Sequence, residues 1–464
     1  MRYDLGARRQ ILLKTAMVAA LMMTAVGAQS SPPAATGRQV VEGATSQPPQ
    51  VSLRPIARPV AVSAVTEPRL RPRTRPLQQT TAAEQPSVSA AKQRAFQAWI
   101  TAFHPRARAE GLSQATLDRA FADVSFDPDI VQRDGNQSEF VTPIWTYLER
   151  AVSEARIDNG KAALRDHAQT LARIEARYGV DKEVVAAVWG MESNYGRFRG
   201  EREIIRSLAT LAFDGRRGAF FESQLIAALK ILQAGDVSPR AMTGSWAGAM
   251  GHTQFMPTSY LAYAVDFTGD GKRDIWSEDP TDALASTAAY LKRFGWVKGQ
   301  PWGLEVRLPA GFDYAQADRK ITKSAESWRR LGVTRADGSP LPDHGEGALL
   351  LPSGAQGAAF MVYRNFAAIE RYNAADAYVI GVGHLSDRLR GGGPILASWP
   401  QDSRPLTYKE RRELQQRLTG AGYGTGGADG RIGPKNRAAL RAYQLAMGLT
   451  PDGHPSLTVL NRLR

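Results

Sequence analysis

No cysteine occurs among the 464 residues. Disulfides, thiolate metal sites and a lipidated cysteine behind an export signal are thereby excluded. Hydrophobic runs of membrane-spanning length are also missing: the apolar stretch Thr15–Val26 is too short to cross a bilayer comfortably. Acidic residues are in deficit. Asp and Glu number 45 against 59 Lys and Arg, a formal net charge of +14, with a pI near 10.0. Such a chain suits an anionic partner: nucleic acid, a membrane surface or a cell-wall polymer. No motif with base-reading spacing is present, so nucleic acid is not favoured.

The length leaves room for two or three domains. Thr15–Val26 follows Arg2, Arg8, Arg9 and Lys14 and runs into Val26-Gly27-Ala28. That is the pattern of a cleaved secretory signal over residues 1–28, with an uncleaved anchor as the alternative. It implies an exported, soluble protein of the periplasm, with the cell surface as the alternative, and no membrane span after cleavage. Residues 29–90 are rich in Pro, Ala, Ser, Thr and Gln, and carry Arg69, Arg71, Arg73 and Arg75. They read as a disordered linker, either a cationic arm or a plain tether. Helical spacing begins with Phe96, Trp99, Ile100 and Phe103 and continues over Leu112–Phe121, Ile144–Ile157 and Lys161–Tyr178. His167 has no partner at i+4 and reads as a helix-face residue.

The stretch Val180–Gly200 organises the rest. Asp181 can cap a helix from Lys182, on which Val184, Val185, Val188 and Trp189 mark the buried face. Glu192 falls on that same stripe. Burial and the negative helix end would both raise its pKa, as a general acid requires. Spacing alone leaves a second reading open, in which the helix frays and Glu192 meets water. Gly196 is the natural stop.

Glu192-Ser193-Asn194-Tyr195-Gly196 is followed by Gly244-Ser245-Trp246-Ala247-Gly248-Ala249-Met250-Gly251, then Gln254-Phe255-Met256-Pro257, and later Arg371-Tyr372-Asn373. This order and spacing resemble the lytic transglycosylase B family, whose members cut bacterial peptidoglycan with a lysozyme-like core. The resemblance covers residues 95–398 and implies a mainly α fold: a lysozyme-like α+β catalytic core (91–398) with a small antiparallel β insertion near 302–362. Alternation in Leu304–Leu308, Ala348–Leu351 and Ala358–Tyr363 agrees with that insertion. Glu370–His384 then reads as helix again.

The resemblance also implies site residues. Glu192 is the catalytic acid and then base. Ser245 stands beside it, and Gln254, Tyr290, Tyr372, Asn373 and Tyr378 line the sugar groove. Without the resemblance the tyrosines read as core. Arg216 and Arg217 would meet stem-peptide carboxylates, the alternative being a solvated turn. His252 and Thr253 stand where the family varies and receive no role. Asp214 is the one candidate for a second carboxylate facing Glu192.

Asp266-Phe267-Thr268-Gly269-Asp270-Gly271-Lys272 places oxygen side chains at alternate positions before glycine, the front half of a calcium loop. The twelfth position is Ser277 rather than glutamate. The resemblance implies a longer loop closed by Asp282, with Asp266, Thr268, Asp270 and Asp282 as side-chain ligands and Lys272 through its carbonyl. A tight Asp-Gly turn is the alternative. No organic cofactor is implied, only a structural calcium ion.

Gly391–Pro400 reads as a hinge. Beyond it, Thr407–Leu418, Pro434–Met447 and Leu457–Leu463 form three helices, two of them preceded by Asp-Gly. This resembles the small three-helix peptidoglycan-binding module, here over 403–464, with Arg431, Lys435, Arg437 and Arg441 adding positive charge. The implied function is non-hydrolytic cleavage of the β-1,4 MurNAc–GlcNAc bond to 1,6-anhydro ends. The implied partners are glycan strands, their stem peptides and cell-wall synthesis proteins. A hydrolytic muramidase and a non-catalytic wall scaffold are the alternatives.

Overall fold

The computed structural model describes residues 89–135, 142–401 and 403–464. The expected export signal, and all of the linker except its last two residues, lie outside the described residues.

Helices α1 (Ala90–Ala109), α2 (Gln114–Phe121) and α3 (Pro128–Gly135) open the fold. Ser89 and Ser113 cap the first two through their hydroxyls. The periodicity over 144–178 predicts two helices, but the chain forms three: α4 (Ile144–Ala151), α5 (Glu154–Asp166) and α6 (Ala168–Tyr178). Ser153 and His167 interrupt it. His167 is therefore a junction residue, with its ring 5.4 Å from that of Trp189. An apolar stripe can run through such a break because both helices face the same core.

The central helix α7 (Lys182–Ser193) is buried from Val184 to its end. Asp181 stands at its N-cap but makes no capping bond there. Its carboxylate accepts from Trp296 Nε1 at 2.8 Å instead and pairs with Arg390. Beyond it α8 (Ile204–Asp214), α9 (Gly218–Ala234) and α10 (Pro257–Tyr263) pack on one another, and α11 (Thr281–Arg293) packs on α7, as α5 and α6 do. A two-stranded pair, β1 (Arg202–Glu203) with β2 (Thr243–Gly244), closes one side.

The expected insertion is present. Strands β3 (Gly303–Arg307), β4 (Thr334–Arg335), β5 (Ala348–Leu350) and β6 (Ala359–Val362) form an antiparallel sheet in the order β4-β3-β6-β5. It shelters its own small core around Trp328, Val333 and Met361. Glu370–His384 is not one helix: α12 (Arg364–Tyr372) and α13 (Asp376–Leu389) are separated by Asn373–Ala375. The cause is local. Asn373 Oδ1 accepts from the Ala375 N–H at 3.1 Å, a side-chain turn that competes with the helical bond.

Three C-terminal helices, α14 (Tyr408–Gly420), α15 (Pro434–Ala446) and α16 (Leu457–Leu463), enclose a separate core of Leu406, Leu414, Leu440 and Leu460. Thr407 and Glu410 form a capping box at the first. The segment expected to be a hinge is strapped down. Leu396 and Ala397 N–H groups donate to Glu305 at 2.8 and 2.6 Å, and Trp399 packs on Trp145.

Candidate active site

Glu192 is the penultimate residue of α7 and is 6% exposed, so the helix does not fray before it. Tyr378, in the first turn of the neighbouring α13 and 1% exposed, donates its hydroxyl to Glu192 Oε1 at 2.6 Å. Burial first, then the Glu192 charge, holds the Tyr378 pKa well above its ordinary value, so this group stays a donor. Tyr378 thus has no ring face for a sugar; it orients the carboxyl.

The turn after Glu192 is strained in a specific way. Asn194 and Tyr195 both have positive φ, 50° and 58°. The strain drives the Tyr195 ring between two helices. A Cβ on Gly160 or Gly190 would lie 2.2 or 2.5 Å from its atoms, so both positions need glycine. The Tyr195 hydroxyl donates to Arg156 O at 3.0 Å. Ser193 Oγ donates to His252 O at 2.6 Å and accepts from Gly196 N at 2.9 Å.

His252, to which sequence reasoning assigned nothing, is central here. Trp189 Nε1 can only donate, and it meets His252 Nδ1 at 3.1 Å. Nε2 therefore carries the ring proton and donates to Ser277 O at 2.7 Å. Burial lowers the pKa of this imidazole; the Ser277 carbonyl opposes that, and the Arg199 cation adds to it. The histidine stays neutral and joins the turn behind Glu192 to the end of the acidic loop. A lone histidine among small residues carries no spacing signal that could have revealed this.

The glycine-rich segment lets backbone approach backbone. A Cβ on Gly251 would sit 2.2 Å from Ile275 O, and one on Gly244 2.1 Å from Ala249 O. Ser245 Oγ accepts from Ala249 N at 3.0 Å and closes this turn. Gln254 has φ of 52° and is buried. Its Nε2 donates to Arg199 O and Gly251 O at 2.9 and 2.8 Å, while its buried Oε1 has no partner among the described residues. A strained residue with an open acceptor is what a ligand-binding amide looks like.

Tyr290 and Tyr372 are buried rather than displayed. Tyr372 donates to Thr253 O and Tyr290 to Arg371 O, each at 2.5 Å, within an aromatic layer shared with Phe255. They hold the Gln254 segment against the α12 end that presents Asn373. Arg216 and Arg217 both bind Asp134, 1% exposed on α3. Arg217 is 17% exposed and Arg216 48%.

In the acidic loop, Asp266, Asp270 and Asp282 bring one carboxylate oxygen each within 4.8 Å of one another. Thr268 Oγ1 touches Asp266 at 3.3 Å. Asp282 organises the loop by accepting from the N–H groups of Phe267, Thr268 and Asp274. Burial raises its pKa, those three bonds oppose the shift, and the Asp266 charge adds to it. Three hard oxygens facing one point fit a calcium ion. The position where a shorter loop would have glutamate, Ser277, gives its carbonyl to His252 instead.

Three relatives resemble this chain to different extents. SltB3 from Pseudomonas aeruginosa, solved in complex with NAG-anhNAM-pentapeptide, is 52% identical, covers 80% of this chain and 99% of its own, and superposes with a TM-score of 0.77. Slt35 from Escherichia coli, solved in complex with calcium, is 28% identical over 65% of this chain and 94% of its own, with a TM-score of 0.54. The membrane-bound lytic murein transglycosylase B of Escherichia coli is 35% identical over 246 residues, 52% of this chain; the match spans 65% of that protein's length. The fold is accordingly lysozyme-like. Residues 407–463 match the model of a putative peptidoglycan binding domain. Since residues 95–387, more than half of the chain, match the transglycosylase SLT domain, the protein belongs to the SLT transglycosylase family.

Proposed function

We propose that the protein is an exported, periplasmic lytic transglycosylase that cleaves the β-1,4 bond between N-acetylmuramic acid and N-acetylglucosamine. The observation that carries this is the buried Glu192 carboxyl oriented by Tyr378. The anhydro-sugar ligand of SltB3 supports it.

Desolvation favours the protonated carboxyl, which gives its proton to the glycosidic oxygen as that bond breaks. The substrate's own N-acetyl carbonyl meets the developing positive charge at C1. Glu192, now ionised and accepting from Tyr378, takes the proton of the 6-hydroxyl while O6 closes on C1. One proton leaves the enzyme and one returns, no water is consumed, and a 1,6-anhydro ring results. A single carboxyl serves both steps, unlike the two-carboxylate glycosidases. We assign the open Gln254 Oε1 to a sugar N–H or hydroxyl, Ser245 and Asn373 to the same groove, and Arg216, the more exposed of its pair, to a stem-peptide carboxylate. Asp266, Thr268, Asp270, Asp282 and the Lys272 carbonyl would hold calcium, whose charge offsets the clustered carboxylates.

Glu192→Gln should lower turnover on purified peptidoglycan at least ~10²-fold with the melting curve preserved. The wild-type products should resist borohydride reduction, because the anhydro bridge masks C1. Predominantly reducible ends in the mass spectrum would instead identify a hydrolytic muramidase.

A further inference from the structure

Three parts of the chain converge on the His252 side chain, which is 3% exposed. The last turn of α7 supplies Trp189, whose Nε1 donates to Nδ1 at 3.1 Å. The end of the acidic loop supplies the Ser277 carbonyl, which accepts from Nε2 at 2.7 Å. The turn after Glu192 supplies Gly196, at φ of 83°. A Cβ there would lie 2.6 Å from both Cε1 and Nδ1, so the imidazole fills the space in front of that glycine. The backbone of the same residue is held as firmly. His252 N–H donates to Ile275 O at 3.0 Å, and His252 O accepts the Ser193 hydroxyl at 2.6 Å.

Neither ring nitrogen is left over. An imidazole with one proton has one donor and one acceptor, and both are used inside the protein. Arg199 adds a second donor to the Ser277 carbonyl at 3.0 Å and pairs with Glu278. Its guanidinium lies 3.1 Å from Nε2. A second proton on the ring would therefore meet a cation on one side and the Trp189 N–H on the other. The ring is a fixed spacer with no proton to exchange with a substrate. The Arg199 carbonyl in turn accepts from Gln254 Nε2 at 2.9 Å. This node thus touches both the turn that follows the acid and the residue that carries the open amide oxygen.

The placement bears on the reaction. Trp189 lies three residues before Glu192 and Ser193 one after it, so the two α7 residues tied to His252 flank the acid. Asn194 and Tyr195, next in line, hold a left-handed backbone that persists only where its surroundings over-determine it. Tyr378 fixes a carboxyl oxygen from α13, but it does not hold the backbone from which that carboxyl hangs.

We propose that His252 is a positioning residue for glycan cleavage: without touching substrate, its imidazole locks the last turn of α7 to the end of the acidic loop and so keeps the Glu192 carboxyl aligned with the bond it protonates. This role rests on the reading of Glu192 as the acid. The test measures kcat and KM on soluble peptidoglycan fragments. His252→Leu keeps the bulk and removes both ring bonds. Its kcat should fall roughly 10- to 10²-fold with KM within about twofold, because a misplacement of about 1 Å can cost a reacting group that much. His252→Gln offers an oxygen to Trp189 and an N–H to Ser277, and should recover most of the loss. Trp189→Phe breaks the same link from the other side with the imidazole in place. It should lower kcat in the same sense, and it keeps the role testable if His252→Leu does not fold. Each change is then combined with Glu192→Gln. A residue that works through the acid has nothing left to position there, so Glu192→Gln and Glu192→Gln/His252→Leu should share one residual turnover. A raised KM at unchanged kcat, no recovery in His252→Gln, or an equal fall in both backgrounds overturns the role. Wild-type turnover in Glu192→Gln alone, with His252 untouched, would remove the acid and the positioning role with it.

Discussion

Tyr378 is the residue whose role differs most from a sequence reading. Aromatic residues near a sugar groove suggest stacking, yet this ring is enclosed and only its hydroxyl matters. Tyr378→Phe keeps the packing and removes one hydrogen bond to a carboxylate. Such a bond contributes about 1.5–3 kcal/mol, so kcat should fall by roughly 10- to 10²-fold while KM and the melting temperature change little. A variant with normal kcat would show that Tyr378 serves packing alone. His384 supplies a residue-scale pH effect. Burial first, then Arg388, depresses its pKa from 6.5 to about 4. A depressed folded pKa means that the unfolded chain takes up the proton first. The stabilisation is therefore present above pH 6.5 and lost as pH falls toward 4. His252 is shifted in the same direction. Melting temperatures of the wild type should drop across that window, and His384→Gln should drop less. Parallel curves would exclude the histidine as the source.

At the scale of elements, the acidic loop and α11 form one unit through Asp282, and the loop's end reaches the catalytic turn through Ser277 and His252. Three carboxylates this close repel one another, and a dication would relieve that. Calcium should stabilise the protein by RT ln(1 + [L]/Kd), about 2.7 kcal/mol at a hundredfold excess over Kd. The rise in melting temperature should disappear in an Asp266→Ala, Asp270→Ala double variant. Magnesium should act more weakly, because it demands tighter octahedral geometry. Superimposable melts of metal-free protein with chelator and with millimolar calcium would reduce the loop to a turn.

For the whole molecule, the three C-terminal helices have their own core but do not hang free. Asp452 clips them to Ala355, and the Trp399 segment is pinned to Trp145 and Glu305. Deleting residues 403–464 should weaken retention on insoluble sacculi, since two linked sites gain by effective concentration. It should also lower the melting temperature of the remaining core by uncovering the seam. Cleavage of bare soluble glycan should persist. Equal sacculus binding with and without the segment would remove its role as a tether.

Much of this was legible locally. The apolar stripe of α7 put Glu192 on the buried side, and alternation marked β3, β5 and β6. The Asp-Gly pairs marked the C-terminal helices, and alternate oxygens marked the acidic loop. These signals arise from neighbours within one turn or one strand, which a linear chain displays directly. Other features needed the packed fold. The breaks at Ser153, His167 and Asn373 are invisible to periodicity, because helices on either side face one core. That Arg216 and Arg217 enclose Asp134, that Tyr195 needs Gly160, and that Tyr378 holds Glu192 are contacts across tens to nearly two hundred residues. The sequence by itself determined which groups could do the chemistry. Only the tertiary structure decided which of them is buried against which, because desolvation and hydrogen-bond geometry depend on distances that no local pattern encodes.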